Sequence, residues 1–109
     1  MFNKFIQDSQ VTIVGCANTG AAIAGKWSIV DTTIALENMV IAAWALGVGS
    51  CWIGDFKDEE LKQLLNIPDG WKVVALISFG YPAEHPSPKR KKTMNELVSY
   101  NKFEFFQNI

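Results

Sequence analysis

The chain has little of what usually announces a site. It holds two cysteines and one histidine in 109 residues. Cys16 and Cys51 stand far apart with no C-x-x-C pair, and His85 is alone. Neither zinc-ligand spacing nor a disulfide scaffold is supported, and the expectation is two buried, reduced thiols. A Ser/His/Asp or Cys/His nucleophile set is missing too, because His85 lies between prolines and both thiols have apolar neighbours. Charge of one sign is not in excess. With 10 Lys+Arg against 11 Asp+Glu the formal net charge is -1, which gives no general attraction to nucleic acid or to an acidic membrane.

Long apolar runs are also lacking. The longest uncharged apolar stretch, Met39 to Ile53, falls short of the roughly 18 residues that a membrane span needs and contains Gly47, Gly49 and Ser50. The opening residues, Met1-Phe2-Asn3-Lys4-Phe5-Ile6-Gln7-Asp8, have neither the basic start nor the apolar core and cleavage site of a secretory signal, so a cytoplasmic location is expected. Length and an apolar fraction of 49% fit a single domain over residues 1–109.

Val11-Thr12-Ile13-Val14 is a β-rich run ending at Gly15-Cys16, and Asn18-Thr19-Gly20 supplies turn chemistry. Ser28-x-x-Asp31 has capping-box spacing and opens a stretch free of Pro and Gly until Gly47, which predicts the main helix over Ile29 to Leu46. From Met39 to Leu46 that helix is apolar on every face, so something must cover it all round. Cys51-Trp52-Ile53 reads as a three-residue extended piece. Asp55 is placed to cap a short amphipathic helix through Leu61, Leu64 and Leu65 that stops at Asn66, before Ile67-Pro68. Trp71 to Phe79 is too continuously apolar for a half-exposed strand and belongs in the middle of a sheet.

Beyond Ala83 the composition changes. Three of the four prolines fall at 82, 86 and 88, and four basic residues sit together as Lys89-Arg90-Lys91-Lys92 in an extended arm. Thr93-x-x-Glu96 offers a second capping box, and Tyr100, Phe103, Phe105 and Phe106 crowd the terminal tail.

Gly20 to Lys26 matches the first seven positions of G-x-x-x-x-G-K-[ST], but Trp27 stands where a hydroxyl should ligand magnesium, which favours an Ala/Gly-rich loop over a phosphate cradle. Any catalysis should therefore belong to a cofactor, with the protein supplying backbone contacts and a place for negative charge. Two segments suit that role: the glycine-flanked Cys51-Trp52-Ile53-Gly54, whose backbone can approach a flat ring, and Lys89 to Lys92, which can hold a phosphate.

Val30-Asp31-Thr32-Thr33-Ile34-Ala35-Leu36-Glu37-Asn38-Met39, Ala42 to Gly54, Leu65-Asn66-Ile67-Pro68 and Gly80-Tyr81-Pro82-Ala83-Glu84 follow one another in an order and spacing that resembles the C-terminal half of the FMN-dependent nitroreductase family, from about Val11 to Phe103. The resemblance implies an α+β fold, here a partial one: a small sheet and a long central apolar helix at the interface of an intertwined homodimer. It implies FMN at that interface. Trp52, Ile53 and Gly54 would lie against the isoalloxazine with a backbone N–H towards its N5, and Lys89 and Lys91, with Arg90 as a neighbouring substitute, would bind the phosphate. It further implies ping-pong hydride transfer from NAD(P)H through FMN to a nitroaromatic, quinone or similar acceptor, with no side chain acting as acid or base. Nothing before Val11 resembles the family's R-R-S-I-R type of opening segment, which also grips FMN, so the chain reads as a family member without its N-terminal half. The alternative reading is a non-catalytic remnant that dimerises without the cofactor.

Overall fold

The computed structural model describes residues 7–105. In chain order the elements are β1 (Val11–Asn18), a 3-10 turn (Ala24–Trp27), α1 (Ser28–Ala45), β2 (Gly49–Ile53), α2 (Asp58–Leu65), β3 (Trp71–Gly80) and α3 (Met94–Leu97). Phe106 of the aromatic tail lies outside the described residues. The strands form one antiparallel sheet in the order β1-β3-β2. The central strand is the one whose sequence carries no polar alternation, as expected for a strand covered on both faces.

The β1–β3 ladder breaks once, where Gly15 pairs with Ala75 but Cys16 pairs with Val73, leaving Val74 over. Such an extra residue shifts the alternation of the strand that carries it. Val73 and Leu76 consequently share a cluster with Ile53, against which Val14, Cys16, Phe56, Leu61 and Ile67 pack. Ala75 and Ile77 join Leu36 of α1, with Ile13, Val40, Val74 and Phe79 around them. Because neighbours along a strand point to opposite faces, Leu76 and Ile77 assign α2 to one side of the sheet and α1 to the other.

Helix α1 meets the sheet through one buried residue, Leu36. Its remaining apolar side chains stay largely in the open: Ile34, Met39, Ile41 and Trp44 are all exposed, Ile41 to 61%. The all-round apolar character read from the sequence is therefore present as uncovered surface. Among the described residues no helix is long and apolar enough to cross a membrane.

Two helix starts differ from the sequence reading. Ser28 does not cap α1; its hydroxyl donates to the Gly25 carbonyl at 2.8 Å, because the 3-10 turn feeds directly into the helix and Ser28 is already helical. Asp55 does not cap α2, which begins at Asp58 after Lys57. The intervening Phe56 packs onto the core, so the chain stays non-helical until that ring is placed. The far end of α2 agrees with expectation, Asn66 taking the left-handed conformation (φ 56°, ψ 39°) that closes a helix. Two strands are longer than expected. β1 runs on to Asn18, and the three-residue piece is a five-residue strand, Gly49–Ile53.

Candidate functional site

The segment Trp52-Ile53-Gly54 lies where β2 leaves the sheet. Trp52 pairs with Ile77 and Ile53 with Leu76. Cross-strand partners share a face, so the two side chains go to opposite sides. Ile53 is 3% exposed in the α2-side cluster and fixes the strand, whereas the Trp52 indole remains 40% exposed on the α1 side. Gly54 follows the last paired residue, and a Cβ built there would meet nothing within 4 Å. A fixed strand end, an accessible indole and an unobstructed backbone form a surface that a planar ring can approach closely. Cys51 is exposed rather than buried, on a strand at the edge of the sheet.

The arm carrying Lys89 to Lys92 has no regular structure until Thr93, whose side chain accepts from the Glu96 N–H at 3.4 Å while the Glu96 carboxylate accepts from the Thr93 N–H at 2.7 Å. The capping box read from the sequence is thus formed. Arg90, Lys91 and Lys92 line, with Glu96, a shallow cavity of about 280 Å³. Lys89 is exposed and is not among the lining residues. Of the two lysines singled out, one shares a concavity with other cations, and Arg90 stands beside it.

Two approaches bring this arm to the body. A Cβ on Gly49 would lie 3.6 Å from Pro82 Cβ, and the His85 ring meets Trp44 edge-on, with centroids 6.3 Å apart and planes at 68°. Sequence reasoning missed His85 as a contact residue, because nothing in its spacing from Trp44 signals that the arm folds back on the end of α1.

The glycine-rich segment Gly20 to Lys26 is occupied by its own turn. The Gly20 N–H donates to Gly70 O and the Gly25 N–H to Ala21 O, both at 3.0 Å, and a Cβ on Gly25 would stand 2.6 Å from Thr19 O. Lys26 Nζ lies 5.2 Å from the Trp27 ring centroid. These glycines allow close packing, and their amides are not directed to a phosphate. Across the sheet, burial pushes the half-buried Cys16 thiol above its ordinary value, and the nearby Asp58 carboxylate adds to the shift. Asp58 Oδ1 is itself buried without a hydrogen-bond partner among the described residues. Among the same residues no group of three His, Cys, Asp or Glu is placed to hold a metal ion.

The model of the nitroreductase family matches residues 1–81. This chain belongs to the nitroreductase family. A relative from Archaeoglobus fulgidus, named as an NADH dehydrogenase/NAD(P)H nitroreductase, is 34% identical over 89 residues, covering 76% of this chain and 51% of its own. Among solved structures, a nitroreductase family protein from Clostridium novyi is 36% identical at a TM-score of 0.64, over 75% of this chain and 52% of that one. An FMN-dependent nitroreductase from Clostridium difficile is 25% identical at a TM-score of 0.75, over 90% and 61%. The α+β class read from the sequence is the fold of these nitroreductases. The chain spans about half the length of the curated relatives it matches. Trp52, Ile53 and Gly54 fall inside the part matched by the family model, and Lys89 to Lys92 lie beyond it.

Proposed function

We propose that this chain builds the C-terminal part of an FMN-dependent oxidoreductase of the nitroreductase type, driven by NAD(P)H and acting on nitroaromatic, quinone or similar acceptors. The observation that carries the reading is the end of β2, where a buried Ile53 holds an accessible Trp52 and an open Gly54 within the family-matched region. Bound FMN would supply two-electron transfer between nicotinamide and acceptor. Ile53 fixes the strand, Trp52 and the Gly54 backbone form the ring-facing surface, and Lys89 and Lys91 hold the phosphate by charge-assisted hydrogen bonds, with Arg90 beside them. This assignment asks no side chain to move a proton.

The uncovered face of α1 supports a homodimer as the working assembly. Ile34, Ile41 and Trp44 form the kind of exposed apolar surface that stable chains bury against a partner. The deciding experiment is a visible spectrum of the purified chain before and after FMN is added and the excess removed. Flavin bands that stay with the protein, followed by FMN-dependent oxidation of NAD(P)H, are the expected result. A colourless protein that rejects saturating FMN would overturn the cofactor assignment for this chain.

A further inference from the structure

The basic arm reaches the body of the protein at a corner that also launches the ring-facing segment. Trp44 is in the last turn of α1, and after Gly47 the chain enters β2, at whose far end Trp52 and Gly54 lie. Pro82 approaches Gly49 at the start of that strand, and His85 meets Trp44. Beyond His85 the next three positions are Pro86, Ser87 and Pro88, and then the cations begin. Prolines hold such a segment extended, at about 3.1 Å per residue, so a tether of four steps transmits the position of its anchor instead of averaging it away.

From this juxtaposition we infer that His85 is a positioning residue. Its edge-to-face contact with Trp44 sets where Lys89, Arg90 and Lys91 stand relative to Trp52 and Gly54, and so determines how well one ligand can meet both groups at once. The inference rests on the proposed FMN reading for its ligand, but the anchor itself does not. An aromatic ring is what the contact needs. The role therefore survives in a ring without ionisable nitrogens and is lost when the ring is removed.

Two measurements on the 109-residue chain test this, comparing wild type with His85→Ala and His85→Phe. The first needs no ligand: trypsin cleavage after Lys89 to Lys92 reports how firmly the arm is held. Cleavage should quicken in His85→Ala and return towards the wild-type rate in His85→Phe. The second is titration with FMN and with riboflavin, which lacks the phosphate. His85→Ala should weaken FMN binding about two- to ten-fold, the range set by one aromatic pair, with riboflavin affinity unchanged and FMN affinity restored in His85→Phe. Equal cleavage in all three proteins would overturn the anchor. Altered cleavage with equal FMN affinity would overturn the positioning role and leave the FMN reading intact. If the wild type binds no FMN but the cleavage order holds, the FMN reading fails and the anchor stands. Equal losses for FMN and riboflavin would mean that His85 acts through folding, which also overturns the proposal.

Discussion

Leu36 of α1 fills the hollow above Gly15 of β1 so closely that a Cβ on the glycine would lie 2.5 Å from Leu36 Cδ1. Leu36 is the one buried residue of its helix, so this contact seats α1 on the sheet. Gly15→Ala forces either the leucine or the helix to move, and overpacking of this kind costs about 1–3 kcal/mol. For a domain of about this size, each kcal/mol lowers Tm by roughly 4–8 °C. Thermal unfolding followed by circular dichroism should show that loss.

Gly54→Ala makes the opposite case. With open space around the position, its Tm should match wild type. Its FMN affinity should fall, because the added methyl stands between the backbone and a flat ring. A titration showing unchanged affinity would remove Gly54 from the ring-facing surface.

Lys89→Ala combined with Lys91→Ala should weaken FMN through its phosphate while leaving riboflavin nearly unaffected. Charge-assisted hydrogen bonds contribute about 1.5–3 kcal/mol each, so the pair predicts a loss of about 10² to 10⁴ in affinity. Because Arg90 and Lys92 line the cavity next to Lys91, partial compensation should hold the loss towards the lower end. The double variant with Arg90→Ala added should lose more, by fluorescence titration.

Ile41→Glu should shift the oligomeric state. Ile41 is 61% exposed on α1, away from the Leu36 contact. A carboxylate there costs the isolated fold little but opposes burial of that face against a second copy. Sedimentation velocity at micromolar concentration should give a dimer for wild type and a monomer for the variant.

The two thiols should separate by reactivity. Cys51 is exposed and should label quickly with a thiol reagent near neutral pH, whereas Cys16 is half-buried and burial pushes its thiol above the ordinary value. The raised value means that the folded state favours the protonated thiol. This contribution to stability is fully present below the unfolded-state value and is lost as pH rises through the higher folded-state value. Cys16→Ser should flatten that alkaline decline in urea titrations, and Cys51→Ser should leave it.

Local signals in the sequence were legible where local chemistry decides the outcome. The Thr93 capping box forms from residues three apart, Asn66 ends α2 by its own backbone preference, and the unbroken apolar run of β3 marks the central strand. The reading failed where distant packing decides. Ser28 became an interior helical residue because a preceding turn stacks onto α1, and Asp55 lost its cap because Phe56 must first reach the core. The phase shift at Val74 depends on β1 pairing, which periodicity along β3 alone does not reveal. Within the candidate site, Trp52 to Gly54 and the cations were visible as residue types. The contact between His85 and Trp44 was not, since no spacing rule joins a helix end to a proline-rich arm.

The strand order has a consequence for how the chain is made. Among the described residues β1 and β2 do not pair with each other; each pairs with β3, and Val11 finds its partner at Phe79. Both strands are synthesised before that partner exists, so their edges stay unmatched until residues near Gly80 have been added. Closure over such a separation is slow compared with local helix formation. A nascent chain halted before Trp71 would carry these two strands without their shared partner, and the last residues of β3 are the ones whose arrival joins them.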